Sequence, residues 1–141
     1  YCNEAKISLL NVREDTIADQ SEVSLACVGQ MAAGVAIVNS KIAASEFAIA
    51  TSGIAGPSGG TVNNPVGTVV IAVKSGEQIV CQKISFSSKR NRNHIRDLTV
   101  AIAFDMLRRA ILVLPPIADY SYIERVDSAV YTMQECTGIN Q

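Results

Sequence analysis

The sequence predicts an α/β fold: a single-domain layered sheet with helices on its faces and a glycine-rich loop at a strand end. Apolar residues recur at helical spacing before residue 42 and again after residue 91. Short runs rich in β-branched residues lie between these segments, and a glycine-rich stretch follows the first run directly. The order of helix, helix, strand, hairpin and helix, with no internal repeat, is typical of one layered α/β domain.

Two helices are predicted before the first strand. The first covers residues 4–11, with Asn3 as its N-cap and Lys6 in its first turn. The second begins between residues 19 and 24 and runs to about Lys41. Small and apolar residues at spacings of three and four form its apolar stripe, namely Val23, Cys27, Met31, Gly34 and Val38.

Three strands are predicted in the middle of the chain. Residues 47–51 form the first, which feeds directly into the glycine-rich stretch. Residues 67–73 and 78–86 are rich in β-branched residues and flank a turn at Ser75-Gly76, which predicts a β-hairpin.

The last predicted helix begins near Asn91 or Asn93 and ends by the pair Pro115-Pro116, because proline cannot continue a helix. Its apolar face consists of Ile95, Leu98, Ile102 and Met106. In the tail that follows, residues 123–133 are predicted as one more helix.

Composition and charge argue against several classes of protein. The 141 residues are 48% hydrophobic and 18% charged, which is ordinary for one soluble domain. The net charge is -1 and the basic residues are not massed on one face, so we expect no nucleic-acid partner. The apolar stretches are too short or too charged to span a bilayer, so no membrane partner is expected.

The chain opens with Tyr1 and shows no basic-then-apolar leader, so we expect a processed chain or a fragment located in the cytoplasm.

The four cysteines show no metal-binding or disulfide pattern. Cys2, Cys27, Cys81 and Cys136 are scattered without a Cys-x-x-Cys pair, and Cys27 lies among apolar helical positions. We therefore expect reduced thiols, no metal and no cofactor.

The strongest sign of chemistry is the loop of residues 52–60, Ser-Gly-Ile-Ala-Gly-Pro-Ser-Gly-Gly. Four glycines at the end of a strand let the backbone approach a ligand closely, and such loops cradle anions, phosphate above all. The loop matches neither the Walker A motif nor Gly-x-Gly-x-x-Gly. On spacing alone, a tight turn without a ligand is an equal alternative.

Two segments, in the right order, resemble the CinA C-terminal domain family. Residues 1–6, Tyr-Cys-Asn-Glu-Ala-Lys, resemble that family's Tyr-Ser-Asn-Glu-Ala-Lys segment, with Cys2 in place of the usual serine. The second segment, residues 52–69, looks like the family's nucleotide-site loop. It contains Ser-Gly-Ile-Ala-Gly-Pro, then Gly-Gly, then Asn-Pro-Val-Gly-Thr-Val, which ends at Val69. The resemblance covers residues 1–112, which we expect to be the amidase-like domain, and leaves 113–141 as an unassigned C-terminal tail.

The resemblance implies hydrolysis of the carboxamide of nicotinamide mononucleotide to nicotinate mononucleotide and ammonia, a step of pyridine-nucleotide salvage. A lysine would activate a serine nucleophile, which requires the neutral amine, a form that burial or nearby positive charge favours. Carried over residue by residue, the catalytic residues are Lys6, Tyr1 and Arg92. The residues implied for substrate binding are Asn3, Ser52, Gly53, Ile54, Gly56, Gly59, Gly60 and Arg90.

The basic segment before the last helix also resembles the family, because Arg92 and Arg96 have its Arg-x-x-x-Arg spacing. A guanidinium suits phosphate by bidentate contact. Arg92 is the first candidate and Arg90 the second, while a merely solvated turn is the alternative. His94, the single histidine, is interpreted as a surface helix residue rather than a base.

The family's nucleophilic serine, in a Pro-Gly-Ser-Ser-like segment, and its Ala-Glu-Ser-Cys-Thr-Gly-Gly segment lie upstream of the lysine motif. Both would precede Tyr1, so the sequence as given is expected to lack the nucleophile, the first strand and the helix after it. The alternatives to an amidase are a non-catalytic domain that binds a nucleotide phosphate and a structural domain whose glycine loop is only a turn. The family resemblance also suggests a homo-oligomer.

Overall fold

The computed structural model describes residues 2–40, 45–87 and 89–138 of the chain. Within these ranges it has five helices and four strands. In chain order they are α1 (Asn3–Leu10), α2 (Glu14–Gln20), α3 (Leu25–Ser40), β1 (Phe47–Gly53), β2 (Thr68–Ser75), β3 (Gln78–Ser85), α4 (Arg92–Ile111), β4 (Glu124–Thr132) and α5 (Met133–Thr137).

The four strands form one antiparallel sheet in the order β1-β2-β3-β4, with helices on both faces. The helix α3 lies on one face together with α1, α2 and α5, and α4 lies on the other. Strand β2 is buried along almost its whole length because both of its faces are covered. The predicted α/β class, with helices on the faces of a layered sheet, is confirmed.

Each face of the sheet has its own hydrophobic core. On the α3 side, small helix residues such as Ala32 and Ala33 pack against Val70, Ala72 and Cys81. On the α4 side, larger side chains meet, and they include Ile71, Ile84, Ile95, Ile102 and Met106. The small residues of α3 let that helix lie close to the sheet.

Several predicted elements are confirmed with small shifts at their ends, as expected for helix and strand boundaries. The hairpin is β2 and β3, and Gly76 in its turn has a φ of +56°. Asn91 caps α4 by accepting a hydrogen bond from the backbone N–H of His94 at 2.9 Å. Helix α3 ends at Ser40, and Lys41 lies outside the described residues.

Four details of the sequence interpretation were wrong. Residues 123–133 do not form a helix, because the free edge of β3 pairs with them to form β4. Asn3 is the first residue of α1 and not its N-cap, which is Cys2. Val38 does not belong to the buried stripe of α3, since it is 48% exposed. The short helix α2 was not predicted, because it buries only Thr16 and so shows no apolar stripe.

None of the helices in the described ranges is long and apolar enough to cross a bilayer.

Asp105 joins the end of α4 to the tail that follows it. Its carboxylate accepts hydrogen bonds from Arg108 and Arg109, both at 2.7 Å, and from the hydroxyl of Tyr120. The Tyr120 hydrogen bond is the main cause that lowers the pKa of Asp105 well below its usual range, and the two guanidinium groups add to it against the effect of burial. Burial, followed by the bond to Asp105, raises the pKa of Tyr120 to about 12.

We expect Asp105→Asn to lower the free energy of unfolding by about 2 kcal/mol near neutral pH, because the hydrogen bonds lose their charged acceptor. Since folding lowers the pKa of Asp105, its contribution is fully present above the unfolded value of about 3.9 and is lost as the pH falls through the lower folded value. Urea unfolding at about pH 7, 5 and 3 should show an equal loss at the two higher values and a smaller one at the lowest. Asp19→Asn, at an exposed site, is the matched control. A loss that does not change with pH would contradict this assignment.

Candidate functional site

A cavity of about 610 Å³ opens between α1 and α4, over the end of β1. Six of the residues that the sequence singled out line it, namely Asn3, Lys6, Ser52, Gly53, Ile54 and Arg92. They come from α1, from the end of β1 with the residue after it, and from α4, so the fold brings together positions up to 89 residues apart, from Asn3 to Arg92. Apolar residues such as Met31, Val69 and Ile95 form the rest of the wall.

The position of α1, and with it Lys6, depends on a glycine in α3. A Cβ atom on Gly34 would lie 2.0 Å from the carbonyl oxygen of Leu10, a separation that no side chain can have. The backbone of α1 therefore lies directly on α3, and α1 ends immediately afterwards at Asn11 in the left-handed conformation. In this position the Nζ of Lys6 lies 3.4 Å from the Oδ1 of Asn3, and both residues line the cavity.

The end of β1 forms the floor of the cavity. A Cβ on Gly53 would lie 2.7 Å from the carbonyl oxygen of Thr68, so the close pairing of β1 with β2 requires glycine there. The hydroxyl of Ser52 donates a hydrogen bond of 2.7 Å to the backbone carbonyl of Glu22. This bond ties the end of β1 to the segment that leads into α3, and it occupies the serine's proton.

After Gly53 the chain runs through residues 54–67 as turns and bends, and Asn64 fixes the base of this segment. The side chain of Asn64 is buried, donates to the hydroxyl of Ser21 at 3.2 Å and accepts from the Nζ of Lys83 at 2.8 Å. Gly56 has a φ of +80°, and its carbonyl accepts a hydrogen bond of 2.9 Å from the Nη1 of Arg92. Arg92 therefore both lines the cavity and holds the glycine-rich segment in place.

Other residues implied by the family resemblance lie away from the cavity wall. Gly59 and Gly60 are exposed beyond the part of the loop that borders the cavity. The guanidinium of Arg90 contacts the ring of His94 at 2.6 Å and the carbonyl of Tyr122 at 3.4 Å. Tyr1 lies outside the described residues.

Four polar residues line the cavity although they were not assigned to it from the sequence: Glu22, Thr51, Arg96 and Thr99. Arg96 follows Arg92 by four residues, so its place on the same face of α4 could have been read from helical spacing. Thr99 donates to the carbonyl of Ile95 at 2.7 Å, which leaves its hydroxyl oxygen as an acceptor. No periodic spacing in the sequence could have placed Glu22 at the cavity, because it belongs to the turn between α2 and α3.

The charges around the cavity are mostly positive. Lys6, Arg92 and Arg96 contribute three cations, and Glu22 contributes one carboxylate. Burial is the main cause that raises the pKa of the nearby Cys27 thiol, while the charge of Lys6 lowers it and that of Glu22 raises it. Lys6 and Glu22 thus act on the same thiol and lie in the same region of the site. A wall of this kind suits an anionic ligand that also carries some positive charge.

Comparison with known proteins identifies relatives of the chain. The family model described as the CinA C-terminal domain matches residues 1–111. A CinA-like protein from Shewanella halifaxensis is 46% identical over 127 residues, which cover 90% of this chain and 29% of that protein. A CinA-like protein from Shewanella pealeana is 47% identical over 126 residues, 89% of this chain and 28% of that protein. The chain therefore spans less than a third of the length of these curated relatives.

Solved structures share the fold. The competence/damage inducible protein CihA from Agrobacterium tumefaciens aligns with a TM-score of 0.70 and 34% identity, covering 79% of this chain and 65% of that one. The competence damage-inducible protein A (ComA) from Klebsiella pneumoniae aligns with a TM-score of 0.69 and 33% identity, covering 79% of this chain and 66% of that one. Sequence and fold thus point to the same relatives.

We expect Gly34→Ala to lower the free energy of unfolding by about 2 to 3 kcal/mol, because the new methyl group must push the backbone of α1 away from α3. Displacement of α1 would also move Lys6 and Asn3 out of the cavity wall. Urea unfolding measures this loss of stability.

The matched control is Gly29→Ala in the same helix, where the nearest atom to a new Cβ is a side-chain atom of Tyr131 at 3.2 Å. That ring can shift by a few tenths of an ångström, so we expect a much smaller effect. Equal stability of the two variants would show that the contact with Leu10 does not determine where α1 lies.

Proposed function

Since this chain belongs to the CinA C-terminal domain family, we propose that its cavity binds nicotinamide mononucleotide. We further propose that Lys6 serves there in hydrolysis of the carboxamide, which yields nicotinate mononucleotide and ammonia. Pyridine-nucleotide salvage in the cytoplasm is the setting we infer. The single observation that carries the proposal is that Lys6 from α1 and two arginines from α4 line one cavity above the end of β1.

The size and polarity of the cavity support a mononucleotide as the ligand. Its volume of about 610 Å³ lies within the range of small-molecule sites, and apolar residues form much of its wall. Arg92 and Arg96 are four residues apart on one helix, and two guanidinium groups can hold a phosphate through paired hydrogen bonds. The acidic Glu22 matches the positive charge of the pyridinium ring.

In the proposed chemistry, Lys6 first gives up its proton to solvent. Its amine then takes the proton from a serine hydroxyl, and the serine oxygen attacks the carboxamide carbon. The carbon–nitrogen bond breaks, the nitrogen leaves as ammonia after receiving the proton, and water then releases nicotinate mononucleotide from the serine. The family resemblance puts that serine in a segment before Tyr1. Ser52 is a poor substitute, because its hydroxyl donates to the carbonyl of Glu22 and not to Lys6.

That same hydrogen bond favours a second candidate function, a domain that binds the nucleotide without hydrolysing it. Such a chain has the cations and the cavity but no serine hydroxyl that can give its proton to Lys6. It would bind nicotinamide mononucleotide without hydrolysing it. Ligand binding by the chain itself is common to both candidates. Ammonia release distinguishes them.

We propose that residues 1–112 carry the amidase-like domain, as the family resemblance implies. The proposed role of residues 113–141 is then to stabilise the sheet, since β4 pairs with the edge of β3 and α5 packs against α3. All residues that line the cavity belong to the first part.

We expect Lys6→Ala to reduce ammonia release from nicotinamide mononucleotide by roughly 10³-fold, since a positioned base contributes rate enhancements of that order. The assay compares this chain with a longer form in which the serine segment of a CinA-like relative is joined ahead of Tyr1. Lys89→Ala, at an exposed lysine outside the cavity, is the control.

Full activity of Lys6→Ala in the longer form would rule out the role of Lys6. If both forms bind the nucleotide and neither releases ammonia, the binding-only function is the correct one.

We expect Arg96→Gln to weaken the affinity for nicotinamide mononucleotide by roughly tenfold or more, because a charge-assisted contact to the phosphate is lost. The affinity for nicotinamide riboside, which has no phosphate, should not change. Calorimetric titration with both ligands provides the comparison, and Arg125→Gln on β4 is the control. An equal loss for the two ligands would show that Arg96 does not contact the phosphate.

A further inference from the structure

Among the residues that the structure describes, Glu22 is the one acid in the wall of the cavity. The other charged residues of the wall are Lys6, Arg92 and Arg96. Neither phosphate binding nor the reaction at the carboxamide requires a carboxylate. Glu22 therefore acts on a different property of the ligand.

Hydrogen bonds fix the turn that carries Glu22. Its backbone carbonyl accepts the 2.7 Å hydrogen bond from the hydroxyl of Ser52 at the end of β1. The preceding residue, Ser21, has a φ of +77°. Its hydroxyl oxygen accepts from the backbone N–H of Val23 at 3.0 Å and from the side-chain amide of Asn64 at 3.2 Å. The turn is thus tied to the floor of the cavity and to the glycine-rich segment.

The charge of Glu22 is available to a ligand. The residue is exposed, and it forms no ion pair with the part of the chain that the structure describes. Lys6 lies on the same cavity wall, and its Nζ is 3.4 Å from the Oδ1 of Asn3. Burial raises the pKa of the Cys27 thiol most, and the charges of Lys6 and Glu22 also act on it, in opposite directions. The two side chains therefore lie in the same part of the site.

Hydrolysis would change the charge of the ligand in this part of the site. In nicotinamide mononucleotide the ring is positive and its carboxamide is neutral, whereas the product has a carboxylate in place of the carboxamide. Lys6 acts at the carboxamide in the proposed reaction, so its protonated amine would attract the new carboxylate and retain the product. A carboxylate near Lys6 repels that group, and it attracts the ring of the substrate.

We propose that Glu22 selects ligands by the charge at the ring. It favours the substrate over the product, and it favours the substrate over the reduced nucleotide, whose dihydropyridine ring is uncharged. This role of Glu22 rests on the proposed function, since it requires the ring to lie beside Lys6 while the arginines of α4 hold the phosphate. Repulsion of the new carboxylate then promotes release of the product.

The test compares the whole chain with Glu22→Gln, which keeps the shape of the side chain and removes its charge. Calorimetric titration measures the affinity for nicotinamide mononucleotide, for its reduced form and for nicotinate mononucleotide. We expect Glu22→Gln to weaken binding of the substrate by roughly threefold or more and to tighten binding of the product by a similar factor. The affinity for the reduced form should not change, because that ligand has no charge near the ring. Both changes should shrink between about 0.02 M and about 0.3 M salt, since salt screens exposed charges.

The matched control is Glu77→Gln, which removes the same charge from the hairpin turn, at the other end of the sheet, and should leave all three affinities unchanged. An equal loss of affinity for the three ligands in Glu22→Gln would show that Glu22 only supports the structure of the site, and would overturn its role in selection. A ratio of product to substrate affinity that is the same with and without the Glu22 charge would also overturn it, and would leave the proposed function intact. A wild-type chain that binds none of the three ligands overturns the proposed function together with this role of Glu22.

Discussion

The contact between the backbone of Leu10 and the backbone at Gly34 is the constraint on which the rest of the site depends. Because no side chain separates the two helices there, α1 lies close enough to α3 for Lys6 to reach the cavity above β1. The helix is only eight residues long and buries no side chain fully, so its own packing could not position it. The absence of a side chain at Gly34 of α3 thus determines the position of Lys6 on α1.

The opposite wall is held by hydrogen bonds instead of close packing. Arg92 donates to the carbonyl of Gly56, and Asn64 joins the same loop to Ser21 and to Lys83 on β3. Since Arg92 is used in this way, Arg96 is the cation on α4 with the greater freedom to bind a ligand. One nitrogen of Arg92 thus holds the loop, and the proposed phosphate contact depends on its remaining donors together with those of Arg96.

The C-terminal part of the chain completes the sheet without entering the cavity. Strand β4 covers the edge of β3, which would otherwise present unpaired backbone groups. The carboxylate of Asp105, through Tyr120, ties the segment before β4 to the end of α4. These contacts link the segment that follows α4 to the helix that carries the arginines, so the two parts of the chain share one folding unit.

The sequence alone predicted the α/β class, the hairpin and the long helices. The family resemblance implied functional roles for Lys6, Ser52 and Arg92, and these three residues line one cavity in the structure. Hydrophobic periodicity, glycine-rich stretches and short motifs record local preferences, and these elements follow local preferences. The strand β4 could not be predicted, because its exposed residues have no periodicity of their own and only pairing with β3 decides their conformation. The presence of Glu22 in the site, and the position of Arg90 outside the cavity wall, depend in the same way on contacts between segments distant in sequence. Tertiary structure alone decides such contacts, since they arise only when α1, β1 and α4 pack around one cavity.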